Sequence, residues 1–183
     1  MELLDTSLPD LKLVRLDVLR DERGAFAETY DSSKFNAMGI REQFVHDSWS
    51  LSRATGTVRG LHFQVPPRAQ HKLVRVTRGR ILDVIVDIRR GSPTFGKHVA
   101  AVISAENWRQ IFIPVGFAHG FVTLEPNTEV IYKVSGYYSP KDERGILWRD
   151  PALGIAWGID PASAILSEKD AKYPLLSESK DLF

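Results

Sequence analysis

His62, Lys72 and Tyr132 supply a base, a cation and a phenol, each embedded in a stretch that alternates like a β-strand. In TVRGLHFQ, Thr57 to Gln64, period 2 puts Val58, Gly60, His62 and Gln64 on one face and Arg59, Leu61 and Phe63 on the other. Gly60 beside His62 marks a place where something can come close to the backbone. In HKLVRVTRG, Lys72 shares a face with Val74 and Val76. In TEVIYKVSGYY, Tyr132 lies between Val130 and Val134 by the same parity. Polar groups pointing where aliphatic ones point are costly unless paired or used. A base, a cation and a phenol thus project from the apolar faces of three separate strands, and that convergence points to a functional site.

Each residue also has a plainer explanation. His62 can be a hydrogen-bonded core histidine, and Lys72 one half of a buried ion pair with Asp83 or Asp87. Tyr132 can be a core aromatic with its hydroxyl satisfied. Asp170, three residues after Ser167 in SEKD, has the spacing of a capping box. His71 and His119 could suggest a metal site, but no H-x-H pair occurs and the carboxylate spacing around them is unremarkable. No phosphate-binding loop or dinucleotide fingerprint is present.

The elements that must position these groups are short. Lys12 to Val18 reads as an early strand, and DERG as a turn into a second strand, GAFAETYD. Asp31 and Ser32 cap a short helix through Met38, which Gly39 ends. QFVHDSWSLS precedes TVRGLHFQ, and VPP breaks the chain after it. In ILDVIVDIRR, Leu82, Val84, Val86 and Ile88 alternate with Asp83, Ile85 and Asp87. KHVAAVIS, RQIFIP, HGFVTL and TEVIYKVS are four more strands, SPKDERG a polar loop, and GILWRDPALGIAW two short extended pieces. About ten short strands without a long helix predict an all-β antiparallel sandwich or barrel, best matched by a jelly roll with a ligand-holding interior.

With 183 residues, 43% hydrophobic and 26% charged, the chain suits one globular domain over 1–183. A net charge of +1 argues against nucleic acid or an acidic membrane as the main partner. Arg75, Arg78, Arg80, Arg89 and Arg90 form a local basic bias, either a solvated strand face or a place for a diphosphate. The chain has no cysteine, which removes thiolate chemistry and suits a reducing, cytoplasmic location. MELLDTSLPD lacks the marks of a signal peptide, and no apolar run is long enough to span a membrane.

The blocks RGLHFQ, HKLVRVTRGRILDVIVDIRRGSPTFGK, SAENWRQIFIPVGFAHGF, YKVSGYY and ILSEKD, in this order, resemble the dTDP-4-dehydrorhamnose 3,5-epimerases. The resemblance runs from about Leu8 to about Pro174. It implies a cupin-type jelly roll with a few short helices and a homodimer whose N-terminal strands, within about 1–50, pair with the partner. It implies no metal or organic cofactor, a C-terminal segment packed on the barrel, and a nucleotide-linked 4-keto-6-deoxyhexose as substrate. By the same resemblance His62 is the base, Tyr132 the acid, Lys72 the group beside the C4 oxygen and Asp170 the partner of the base. Arg23, Glu28, Arg59, His119, Glu143 and Lys169 fall at substrate- or nucleotide-contacting positions, and Tyr138 at the aromatic that stacks on the base. One stretch departs. The family usually carries Q-x-N where this chain has His46-Asp47-Ser48, which places His46 and Ser48 against the nucleotide without the amides that pair with a pyrimidine edge. A sugar-nucleotide-binding cupin without catalysis and a metal-dependent cupin remain the alternatives.

Overall fold

Alternating polarity becomes short paired strands throughout the computed structural model, which describes Met1–Phe183. In chain order these are β1 (Glu2–Leu4), β2 (Lys12–Arg15), β3 (Leu19–Asp21), β4 (Gly24–Phe26), β5 (His46–Ser52), β6 (Val58–Gln64) and β7 (Lys72–Arg78). They continue as β8 (Arg80–Asp87), β9 (His98–Ser104), β10 (Arg109–Ile113), β11 (Phe117–Thr123), β12 (Thr128–Val134) and β13 (Glu143–Gly145). The one α-helix, α1 (Ser32–Ala37), starts where expected. The Asp31 carboxylate accepts from the Ser33 and Lys34 amides at its N-terminus.

Two antiparallel sheets form, ordered β1-β2-β10-β7-β12-β5 and β13-β6-β11-β8-β9, while β3 and β4 make a separate ribbon. The sheets pack face to face as the expected all-β jelly roll. Between them Val74, Val76, Ile111, Ile113 and Val130 of the first sheet meet Ile81, Ile85, Ile103, Phe117 and Phe121 of the second. Each such aliphatic or aromatic side chain contributes about 1.5–3 kcal/mol on burial. The parity read from ILDVIVDIRR holds. Val84, Val86 and Ile88 turn to the outer face of the second sheet, while Ile81 and Ile85 turn inward.

The outer face of the second sheet is covered by the C-terminal segment. Ile146, Trp148, Leu153, Trp157 and Leu176 pack on Val58, Leu61, Phe63 and the outward residues of β8. The Trp157 indole donates to the Trp148 carbonyl at 2.8 Å. GILWRDPALGIAW therefore differs from the expected pair of extended pieces. Its apolar residues are held by turns, with Asp150 N–H bonded to Leu147 C=O and Leu153 N–H to Asp150 C=O. The strand lies just before it. The end of the expected polar loop SPKDERG becomes β13 because β6 offers an open edge to pair with. The early strands are also shorter than their patterns: β2 ends at Arg15 and β4 at Phe26. No helix is long and apolar enough to cross a membrane.

Candidate functional site

A cavity of about 440 Å³ is lined from both sheets, by His62, Lys72, Tyr132 and Asp170 together with Ser50, Arg59, His119, Ser167 and Lys169. An adjoining cavity of about 330 Å³ is lined by His46, Ser48, Gln64, Gln70, Tyr138 and Glu143. His62, Lys72 and Tyr132 belong to both walls. The base, the cation and the phenol thus stand at the junction of two compartments, delivered by β6, β7 and β12.

Strand parity alone misplaces part of β6. The structure puts both Arg59 and His62 on the cavity, and Val58, Leu61 and Phe63 all join the outer core, with Val58 and Phe63 also reaching a cavity wall. The cause is a register shift. His119 pairs with His62 and Phe121 with Arg59, so two steps along β11 meet three along β6. Gly60 is the residue that makes this possible. Its φ is +123°, and a Cβ there would sit 2.5 Å from Gly120 Cα and 2.7 Å from the His119 carbonyl oxygen. What approaches Gly60 closely is the neighbouring strand.

Asp170 comes from the single-turn 3-10 helix Asp170–Lys172. Its amide donates to Ser167 Oγ at 3.1 Å, which is one half of a capping box. The carboxylate turns away from the cap. It lies 2.8 Å from His62 Nε2 and accepts from the Gly60 amide at 3.2 Å. Burial opposes ionisation of Asp170, but the His62 hydrogen bond and the Gly60 amide outweigh it and hold the carboxyl below its ordinary range. With Nε2–H donating to Asp170, the free lone pair of His62 is on Nδ1.

A second histidine–carboxylate pair lies across the strand. His119 Nε2 is 2.7 Å from Asp83, and both side chains are buried. Asp83 Oδ2 has no hydrogen-bond partner. The two carboxylates expected as ion-pair partners for Lys72 are therefore engaged elsewhere: Asp83 with His119, and Asp87 with Arg89. Burial pushes the Lys72 ammonium down to about 8, and the negative charges of Asp83 and Glu143 act against that fall. Tyr132 lies beside Ser48 on β5 and Val74 on β7, its ring packed against the inner core at the cavity wall.

At the mouth, Lys169 forms an ion pair with Glu143, which also accepts from the Tyr138 hydroxyl at 2.7 Å. His46 stacks on Tyr137 with ring centroids 6.0 Å apart. Arg23 and Glu28 lie away from both cavities. Arg23 pairs with Asp21 in the β3–β4 ribbon, and Glu28 pairs with Lys34 of α1. Three arginines of the basic bias are held by structure: Arg80 pairs with Glu125, Arg89 with Asp87 and Asp10, and Arg90 bonds the Ser179 carbonyl. No three His, Asp or Glu side chains converge to hold a metal ion.

Several lining residues were not singled out from the sequence. Ser50 and Gln64 carried a signal, since they share parity with Ser48 and His62. The role of Asp83 as the partner of His119 also follows from parity, because it faces inward with Ile81 and Ile85. Ser167 carried a signal only as the cap of SEKD, and Gln70, on a loop, carried none.

The family model described as dTDP-4-dehydrorhamnose 3,5-epimerase matches residues 5–178. The enzyme of that name from Salmonella typhimurium is 48% identical over 98% of this chain and 97% of its own length. Among solved structures, the dTDP-4-dehydrorhamnose 3,5-epimerase of Bacillus anthracis with TDP and pyrophosphate bound has a TM-score of 0.92 and 46% identity, covering 95% of this chain and 98% of that one. The Legionella pneumophila dTDP-6-deoxy-D-glucose-3,5-epimerase in complex with dTDP-4-keto-L-rhamnose has a TM-score of 0.93 and 41% identity, covering 98% of this chain and 94% of that one. The family match and the chain-long likeness show that the chain belongs to the dTDP-4-dehydrorhamnose 3,5-epimerase family.

Proposed function

We propose that this protein is an isomerase that inverts a nucleotide-diphospho-4-keto-6-deoxyhexose at C3, C5 or both, with dTDP-4-dehydro-6-deoxy-D-glucose as substrate. The observation that carries the proposal is the placement of His62, Lys72 and Tyr132 on three strands around one cavity junction, with Asp170 on His62. His62 takes the proton from the carbon beside the C4 ketone, and the electron pair moves onto the C4 oxygen. Lys72 holds that enolate oxygen. Tyr132 delivers a proton to the opposite face, which completes the inversion, and solvent restores both groups. Asp170 fixes the His62 tautomer and stabilises the imidazolium.

The sugar fits the cavity of about 440 Å³ with Arg59 and Lys169 toward the diphosphate, and the base fits the adjoining one beside Tyr138. Arg23 and Glu28 reach the substrate only across a subunit boundary in this reading. The β3–β4 ribbon supports a homodimer, since Leu19 and Phe26 are 69% and 64% exposed on it. The cysteine-free sequence supports a cytoplasmic enzyme.

Proton NMR of dTDP-4-keto-6-deoxyglucose with the protein in deuterated water tests the reaction. Deuterium at C3 and C5, with inverted product trapped by reduction, is the expected result, and exchange at one carbon identifies a mono-epimerase. Absence of exchange at both carbons overturns the assignment of this substrate. His46 and Ser48 give a reason to run GDP- and CDP-linked 4-keto sugars beside it, because neither side chain offers an amide to pair with thymine. Binding without exchange for every sugar would leave a non-catalytic cupin.

A further inference from the structure

His62 has a second neighbour that the proposed chemistry does not use. The Tyr173 ring packs edge-to-face on the imidazole, with centroids 5.6 Å apart and planes at 71°. Tyr173 directly follows the turn that carries Asp170. One short segment therefore supplies both the hydrogen-bond partner and the ring contact of His62. The segment is anchored beyond Tyr173 by the Leu147 amide, which donates to the Pro174 carbonyl at 2.8 Å.

The position beside Tyr173 is shaped for it. Gly145 pairs with His62 across β13 and β6, and a Cβ on Gly145 would collide with the Tyr173 ring. The ring occupies the space that a side chain at position 145 would take. Tyr173 also lines a separate cleft with Phe63, Pro174 and Ser179, and it lines neither of the two cavities assigned to the substrate. Its hydroxyl is buried without a hydrogen-bond partner. Burial, with Glu143 and Asp170 nearby, pushes the phenol well above its ordinary range.

We propose that Tyr173 is a positioning residue for the base: its ring fixes the plane of the His62 imidazole and closes the rear of the His62–Asp170 pair against water. One hydrogen bond at Nε2 pins a single atom and leaves the ring free to swing about that contact. A packed aromatic face removes that freedom. Misplacement of a reacting group by about 1 Å can cost about 10²-fold in rate.

The inference rests on His62 being the base of the proposed epimerisation, and its test has one arm that needs no substrate. In Tyr173→Ala, kcat for solvent exchange falls about tenfold with KM within twofold. The acidic limb of kcat/KM moves to higher pH, because water now solvates the imidazolium. Tyr173→Phe keeps the ring and restores most of that loss. Nitrogen-15 NMR titration of His62 in the free protein reports the same upward shift in Tyr173→Ala. Tyr173→Leu, which fills the volume without an aromatic face, carries the test if the alanine variant does not fold. A wild-type rate, limb and imidazole titration in folded Tyr173→Ala or Tyr173→Leu overturns the proposal, and so does an equal loss in Tyr173→Phe. If the wild type shows no exchange at all, the parent assignment fails, and the imidazole titration still decides whether Tyr173 sets the environment of His62.

Discussion

His62 and His119 are direct partners across β6 and β11, and each holds a carboxylate through Nε2. The two pairs differ in exposure. The His62 side chain is 30% exposed at the cavity, while that of His119 is 9% exposed over a fully buried Asp83. Of the two, His62 presents the more open imidazole to the cavity.

His62→Ala should abolish deuterium incorporation at every carbon, and Asp170→Asn should cut it by about 10²-fold or more. Both are read by NMR in deuterated water. An undiminished rate in His62→Ala would falsify the assignment of the base.

Tyr132→Phe separates proton removal from inversion. Exchange at the carbon beside the ketone should persist, because His62 still removes and returns the proton on one face. Inverted product should fall about 10²-fold or more. Reduction of the reaction mixture followed by sugar analysis measures the ratio, and full inversion in Tyr132→Phe would remove the phenol from the mechanism.

Lys72 gives a pH dependence with a defined sign. Its ammonium must be charged to hold an enolate, and burial places its pKa at about 8. Activity should therefore decline as pH rises through about 8. Asp83 and Glu143 favour the charged form, so Glu143→Gln should move that decline to lower pH. Lys72→Met should lose about 10²–10³-fold in kcat. The same change relieves the cost of burying an ammonium, so Tm should rise by about 2–4 °C for each kcal/mol recovered. A pH–rate profile and a melting curve on the same samples check both.

Gly60→Ala is expected to disrupt the site through the backbone. The added methyl meets the β11 main chain, which is not a flexible side chain and cannot swing aside. The positive φ adds about 1–3 kcal/mol of strain. Chemical denaturation should show the loss, accompanied by reduced exchange activity because the Gly60 amide also holds Asp170.

The β3–β4 ribbon should form part of a subunit contact. Light scattering of the purified protein is expected to give twice the 20.6 kDa chain mass. Phe26→Asp, at a side chain now 64% exposed, should weaken that dimer, and Arg23→Ala should raise KM in the intact dimer. A monodisperse, fully active monomer would contradict the contact.

Much of this protein was settled by its sequence. Lys72 with Val74 and Val76, and Tyr132 between Val130 and Val134, face inward as their alternation requires, because period 2 is a local property of any strand. The alternation in β8 likewise assigned Ile85 to one core and Val84 and Val86 to the other. Tertiary structure decided the rest. Alternation put Arg59 opposite His62, and only the extra residue in β6 against β11, allowed by Gly60, turns both to the cavity. SEKD read equally as a cap, yet the Asp170 carboxylate bonds His62 across 108 residues of chain. The β13 edge strand and the Tyr173 contact also depend on partners distant in sequence. Parity is written into each strand by its own stereochemistry, whereas register and long-range pairing are set by which backbone edges and side-chain volumes meet once the chain has folded.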